Sequence, residues 1–258
     1  PRENAFGLFR GDGTPKPIST ALKDLLALTP SNQSFPQRTD DYAIADGHFF
    51  TQTSGRSVQR DQSGYAVTND DDINFWTMWK GMPPEDVGMP LTNRFMWDGV
   101  PTQVFQKLVM QWRPESGVTF INLLDFMHDR GFDALLRDRA QVPMPVNPSP
   151  DKPGASWDEI VAGRVALLDA EPALKKFYMA NEDPITLYGL PTSTVQTLGN
   201  AKAVRTQRSV LMLWTTDVPW AKAGEVTVAN GGQIAKDMGL FPVSASVPLP
   251  APVLPDPN

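Results

Sequence analysis

The 258-residue chain has no cysteine and only two histidines, His48 and His128. Thiolate metal sites and cysteine nucleophiles are therefore excluded, and imidazole chemistry rests on two side chains. His128 lies close to Asp125 and Asp129, a grouping that suggests a metal site. The same three residues also make a solvated polar face opposite Phe120, Leu124 and Met127. No Gly-x-Ser-x-Gly elbow accompanies either histidine. Glycoside hydrolysis needs two carboxyl groups facing one cleft. The available pairs (Glu3 with Asp12, Glu85 with Asp86, Asp169 with Glu171) fall at turns or helix ends, where carboxylates act as caps and surface charges. Asn69-Asp70-Asp71-Asp72 gathers hard oxygens of the kind calcium takes, but it lacks the alternating loop and its distal glutamate. Ahead of Ile73, Phe75, Trp76, Met78 and Trp79 that run reads as a helix cap. Arg10-Gly11-Asp12 reads as a turn. No catalytic residue, metal site or cofactor is expected.

The aromatic residues carry a different chemistry. There are seven tryptophans, and Trp97, Trp112, Trp214 and Trp220 lie near turns or strand ends. Indole faces stack on pyranose rings when exposed, although burial is the commoner fate of so large an apolar ring. Gln106, Gln207 and Arg208 supply hydrogen-bonding groups nearby. These seven side chains are the candidate ligand-binding residues. Trp97 is the best placed as a platform, because Asp98-Gly99 makes a turn beside it.

Two passages position them. Gly88-Met89-Pro90-Leu91-Thr92 follows a helix and leads through a strand-like run to Met110-Gln111-Trp112. Gly189-Leu190-Pro191-Thr192-Ser193 does the same and reaches Met212-Leu213-Trp214. From proline to tryptophan is 22 residues in one and 23 in the other, with Gln106-Lys107 and Gln207-Arg208 at similar places inside the strand runs. A period of about 100 residues is too long for a solenoid and indicates duplication of a domain-sized unit. Outside the repeat, Ile18, Ala21, Leu22, Leu25 and Leu26 keep a helical stripe after Pro15 and Pro17.

Lys plus Arg number 23 against 29 Asp plus Glu, a net charge of −6, which offers no basic surface for nucleic acid or anionic lipid. No run approaches the roughly 20 apolar residues that span a bilayer. The 25 prolines cluster in connections, notably Pro143 to Pro153 and the tail from Val247 to Asn258. The chain opens at Pro1 without the pattern of a signal peptide, and reads as a processed product or a fragment.

The Gly-x-Pro-x-[Thr/Ser] turn, followed by a glutamine-containing strand run and an aromatic, resembles the LGFP repeat. It looks like modules of secreted proteins of some thermophilic bacteria, here covering about two thirds of the chain. Where that repeat has a glycine-rich segment after the turn, this chain has Trp97-Asp98-Gly99 and Leu198-Gly199-Asn200. The opening Asn4 to Arg10, then Asp12-Gly13-Thr14-Pro15-Lys16-Pro17, is similar to the final strand and helix of TIM-barrel glycoside hydrolases, whose carboxylates would lie upstream. These resemblances imply an extracellular or cell-surface location and a role in attachment.

The expected fold class is α+β: two related units of helices flanking short antiparallel strands, after a strand–helix barrel remnant. The expected divisions are 1–39 (barrel end and linker), 40–141 (first unit), 142–155 (Pro-rich linker), 156–246 (second unit) and 247–258 (Pro-rich tail). The expected function is a non-catalytic extracellular module for attachment to the envelope or polysaccharide, or for assembly with a protein partner. The alternatives are the C-terminal accessory region of a secreted glycoside hydrolase and a structural subunit of an extracellular assembly.

Overall fold

The computed structural model describes residues 41–53, 56–57, 63–147 and 149–250. The expected barrel-end segment 1–39 and residues 251–258 of the tail lie outside them. Strands β1 (Tyr42–Ile44) and β2 (Gly47–Phe50) form a hairpin. The small hairpin β3 (Gln52–Thr53) and β4 (Arg56–Ser57) follows, and β2 pairs antiparallel with β5 (Ser63–Asp70). At its end β5 turns back into β6 (Ile73–Asn74) through Asp71, whose φ is 50°.

The run makes a hairpin, and its three carboxylates do not cap helix α1 (Phe75–Lys80), contrary to expectation: no acidic residue lies in the first turn, and Asn74 makes no side-chain cap bond. Asn69 does the capping from across the hairpin, its Oδ1 accepting from the Thr77 amide at 3.0 Å. Helix α2 (Pro84–Val87) starts on a proline, which suits a first turn whose amides lack helical partners.

A four-stranded antiparallel sheet follows: β7 (Phe95–Trp97), β8 (Val100–Val104), β9 (Val109–Arg113) and β10 (Gly117–Phe120), paired in chain order. Asp98-Gly99 joins β7 to β8 with φ of 49° and 77°, the two positive φ values that a two-residue hairpin turn requires. Helices α3 (Leu123–His128), α4 (Asp133–Ala140) and α5 (Trp157–Val165) come next. Ser156 and Glu159 form a reciprocal capping box on α5. A 3₁₀ turn (Ala166–Leu168) leads to α6 (Pro172–Met179) and α7 (Pro184–Tyr188). A second four-stranded sheet has the same order: β11 (Gln196–Leu198), β12 (Ala201–Arg205), β13 (Val210–Trp214) and β14 (Val226–Val228). Helix α8 (Gly231–Asp237) and a 3₁₀ turn (Val243–Ser246) lead to β15 (Leu249–Pro250), which pairs with β5.

The two Gly-x-Pro turns share their bonds. Gly88 and Gly189 both have φ of 77° with extended ψ, a region essentially reserved for glycine. A Cβ on either would lie 2.6 or 2.7 Å from the Cβ of Gln106 or Gln207. Those glutamines sit in the tight turns between β8 and β9 and between β12 and β13, not inside the strands as the sequence suggested. Each Oε1 accepts the amide of the residue before the turn's proline, Met89 at 2.9 Å and Leu190 at 3.0 Å. The hydroxyls of Thr92 and Ser193 accept the amides of Val104 (3.0 Å) and Arg205 (2.8 Å). Pro90 and Pro191 lie at isolated bridges to Phe105 and Thr206 whose flanking main-chain bonds are intact, so the missing proline amide costs the pairing nothing.

Each sheet is covered on both faces, which is why β13 reads Val-Leu-Met-Leu-Trp without alternation. Phe75, Val87, Met110, Leu174, Tyr178 and Leu211 share one apolar cluster; Leu91, Val109, Leu124, Leu136, Val210 and Ala235 share another. Both clusters draw on both sheets, and the described residues belong to one compact unit. The halves also exchange backbone bonds: Leu124 donates to the Gln207 carbonyl at 2.9 Å, and Gln233 to that of Gln106 at 3.1 Å. The stretch 142–155 contains neither helix nor strand in its described residues. Its start is held down, with Val142 buried and Met144 bonded in both directions to the Gln196 side chain. The fold is α+β with antiparallel sheets, and among the described residues no sheet closes into a barrel.

Candidate functional site

Three residues (114–116) connect β9 to β10, whereas eleven (215–225) connect β13 to β14. The longer connection carries Val218-Pro219-Trp220-Ala221, closed by Val218 N–H to Ala221 C=O at 2.9 Å and the reverse bond at 3.3 Å. Pro219 fixes φ at the second position of this turn and Trp220 occupies the third.

The surrounding residues lock it. The Asp217 carboxylate accepts from Lys222 Nζ (2.9 Å) and from the Ala223 amide (3.0 Å). Those bonds hold the Asp217 carboxyl below its usual range. Glu225 accepts the Lys222 amide at 2.7 Å, and the Thr215 hydroxyl donates to the Asn200 carbonyl at 2.7 Å. Ala221, the last residue of the turn, is buried.

Trp220 is 68% exposed, its ring edge-on to Trp214 at 5.6 Å. Trp214 itself is buried, and its Nε1 donates to the Thr227 hydroxyl at 2.9 Å. The arrangement is a solvent-facing indole braced by a second one, on a connection that Asp217, Lys222 and Glu225 tie together. A rigid aromatic of this kind loses little entropy on contact.

The other predicted residues fall elsewhere. Trp97 ends β7, half-buried between Phe126 (4.7 Å) and Phe241 (5.0 Å). Trp112 is half-buried in β9 and packs on the first cluster. Gln106 and Gln207 are engaged by their own turns, and Gln207 also donates to Asp125 at 3.0 Å. Arg208 Nη1 donates to the carbonyls of Ile185 (2.7 Å) and Thr186. The structure therefore brings Trp214 and Trp220 together, and leaves Trp97, Trp112 and the glutamines at separate places.

Sequence reasoning passed over two groupings. His48, Trp76 and Trp79 stack in series at 5.2 and 5.4 Å, with ring planes within 15°; the three-residue spacing of two tryptophans on a helix was the available signal. Arg205 is 1% exposed, bonded through Nη1 to Asp133 at 2.7 Å and through Nη2 to the Leu124 carbonyl. Its signal was a charge inside an apolar strand. Asp133 also meets His128 Nδ1 at 2.5 Å. Burial pushes the Asp133 carboxyl up, but the bonds from Arg205 and His128 more than offset it and hold the group below the usual range.

Of the carboxylate pairs, Asp169 is taken by Lys175 at 2.5 Å and Glu171 by Lys202 at 2.7 Å, whereas Glu85 and Asp86 form no ion pair among the described residues. Glu3 and Asp12 lie outside the described residues. No group of three or more potential metal ligands comes together among the described residues, and no helix among them is long and apolar enough to cross a membrane. No family model matches the chain, and no curated protein sequence matches it either.

Proposed function

We propose that the chain is a non-catalytic attachment module of a secreted or surface-borne protein, which holds envelope polysaccharide through the Trp220 turn. The observation that carries this reading is the exposure of Trp220 on a turn locked by its own side chains. Exposed indoles on rigid supports are costly to leave in water and are enriched where partners dock. We further propose that the chain comprises two copies of one unit, as its resemblance to LGFP-like modules implies. The turn bonds of Gly88, Thr92 and Gln106 recur at Gly189, Ser193 and Gln207, each 101 residues on, which supports that reading. The 215–225 connection is then a departure of the second copy, on which the contact is concentrated.

The test is retention of the purified chain on insoluble polysaccharides and cell-wall preparations. Trp220→Ala is expected to weaken retention about tenfold or more. Trp157→Ala, which removes a 59% exposed indole on α5, is the control and is expected to change nothing. Retention lost equally in both variants overturns the assignment to the Trp220 turn. No retention on any matrix overturns polysaccharide attachment and leaves a protein partner as the better account.

A further inference from the structure

Away from the Trp220 turn, an open cleft runs between the two sheet-bearing halves. It has two chambers of about 400 and 380 Å3, within the range of small-ligand sites, and Asp86 and Asn181 line both. In the larger chamber the first half supplies an apolar wall: Met78 of α1, Met82 just after it, and Val118 and Phe120 from β10. The second half faces it with Leu187 of α7 and with Arg208. The smaller chamber exchanges the roles: α6 and β14 of the second half form the wall, and the first half contributes Lys107 in the place of Arg208.

The polar groups of the larger chamber are incompletely used. Arg208 Nη1 is bonded to backbone carbonyls, but its Nε is buried and has no partner among the described residues. The Asp86 carboxylate is half-buried and accepts no hydrogen bond from the described residues; burial pushes its pKa up against the pull of Lys107. These two groups are not a pair: the carboxylates acting on Arg208 are Asp183 and Asp125, and the charges acting on Asp86 are Lys107 and Glu85. A ligand that meets both must present donors and acceptors around the rim of a body whose faces are apolar. A sugar ring has this form, with hydroxyls that both donate and accept around C–H faces.

We propose that the cleft binds an oligosaccharide, one ring in each chamber, with Asp86 accepting from a hydroxyl and Arg208 and Lys107 donating. This inference rests on the reading of the chain as a polysaccharide-attachment module and adds a second contact to the Trp220 turn. The test is a titration of the full chain, labelled at its methionine methyls, with the tetramers of β-linked glucose, mannose and N-acetylglucosamine. The Met78 and Met82 resonances are expected to shift saturably with one of them, while Met96, exposed on β7, stays fixed. Asp86→Ala is expected to weaken the titration about tenfold, the cost of one hydrogen bond to a charged group, and Trp157→Ala, exposed on α5 and outside both chambers, to leave it unchanged. Trp220-dependent retention on polymer with no Met78 or Met82 shift from any tetramer overturns the cleft and spares the attachment reading. Shifts without retention on any polymer support the cleft and remove that reading. Shifts indifferent to Asp86→Ala overturn the assignment of its walls.

Discussion

Helix α8 begins Gly231-Gly232, and the two glycines answer differently to the same substitution. A Cβ on Gly232 would lie 1.9 Å from the Phe105 carbonyl oxygen and 3.3 Å from that of Leu108. Both are main-chain atoms of the β8–β9 turn, which is closed by Phe105 N–H to Leu108 C=O at 2.9 Å and cannot give way. Restoring an ordinary contact requires α8 to retreat by roughly 1.5 Å. That movement breaks the 3.1 Å bond from Gln233 to the Gln106 carbonyl and loosens Ala235 from the second apolar cluster. Overpacking plus one lost bond costs about 2–4 kcal/mol. Beside it, a Cβ on Gly231 would meet the carbonyls of Lys107 and Arg208 at 3.4 and 3.5 Å, which is ordinary contact. There the gain in helix propensity, up to about 1 kcal/mol, is free to appear. Urea midpoints and melting curves of Gly232→Ala and Gly231→Ala test this pair. Gly232→Ala is expected to lower Tm by roughly 5–15 °C, and Gly231→Ala to leave it equal or slightly raised. A Gly232→Ala protein as stable as the wild type, or equal damage from both, refutes the close approach of α8 to the first half.

The buried Arg205 predicts a pH-dependent effect. Asp133→Ala leaves the guanidinium without its carboxylate and costs about 3–5 kcal/mol at neutral pH. The Asp133 carboxyl titrates below its ordinary value in the folded chain, so its stabilisation is present in full above the unfolded pKa and is lost as pH falls through the folded one. The stability gap between wild type and variant is therefore expected to narrow from about pH 5 downwards, and urea midpoints that hold a constant gap down to pH 2 contradict the pairing. In the Gly-x-Pro turns, Gln207→Ala strands the Leu190 amide and removes a donor from Asp125, at about 1–3 kcal/mol. Gln106→Ala strands only the Met89 amide among these bonds and is expected to cost less; the reverse order in denaturant midpoints refutes this account of the turns.

Much of the fold was legible because its signals are local. A glycine that must adopt positive φ, a proline without an amide and a hydroxyl two residues later announce the turn at 88–92 and again at 189–193. Asp98-Gly99 announces a turn, which the structure makes a hairpin, since that choice depends on φ and ψ of adjacent residues. Where two readings share one local pattern, the sequence could not choose. Asn69 to Asp72 suits a cap or a hairpin, and the pairing of β5 with β6 makes it a hairpin in which Asn69 alone caps the helix. The glutamines were recognisable as repeated, yet their task is to reach back 17 residues to Met89 and Leu190, a distance that no local periodicity records. The tryptophans make the limit plainest. Trp97, Trp214 and Trp220 all stand beside turn residues, but Phe126 and Phe241 cover the first, the 215–225 connection covers the second, and nothing described covers the third. Exposure, the approach of α8 and the walls of the cleft belong to elements distant in sequence, because which surface is removed from water depends on what folds against it.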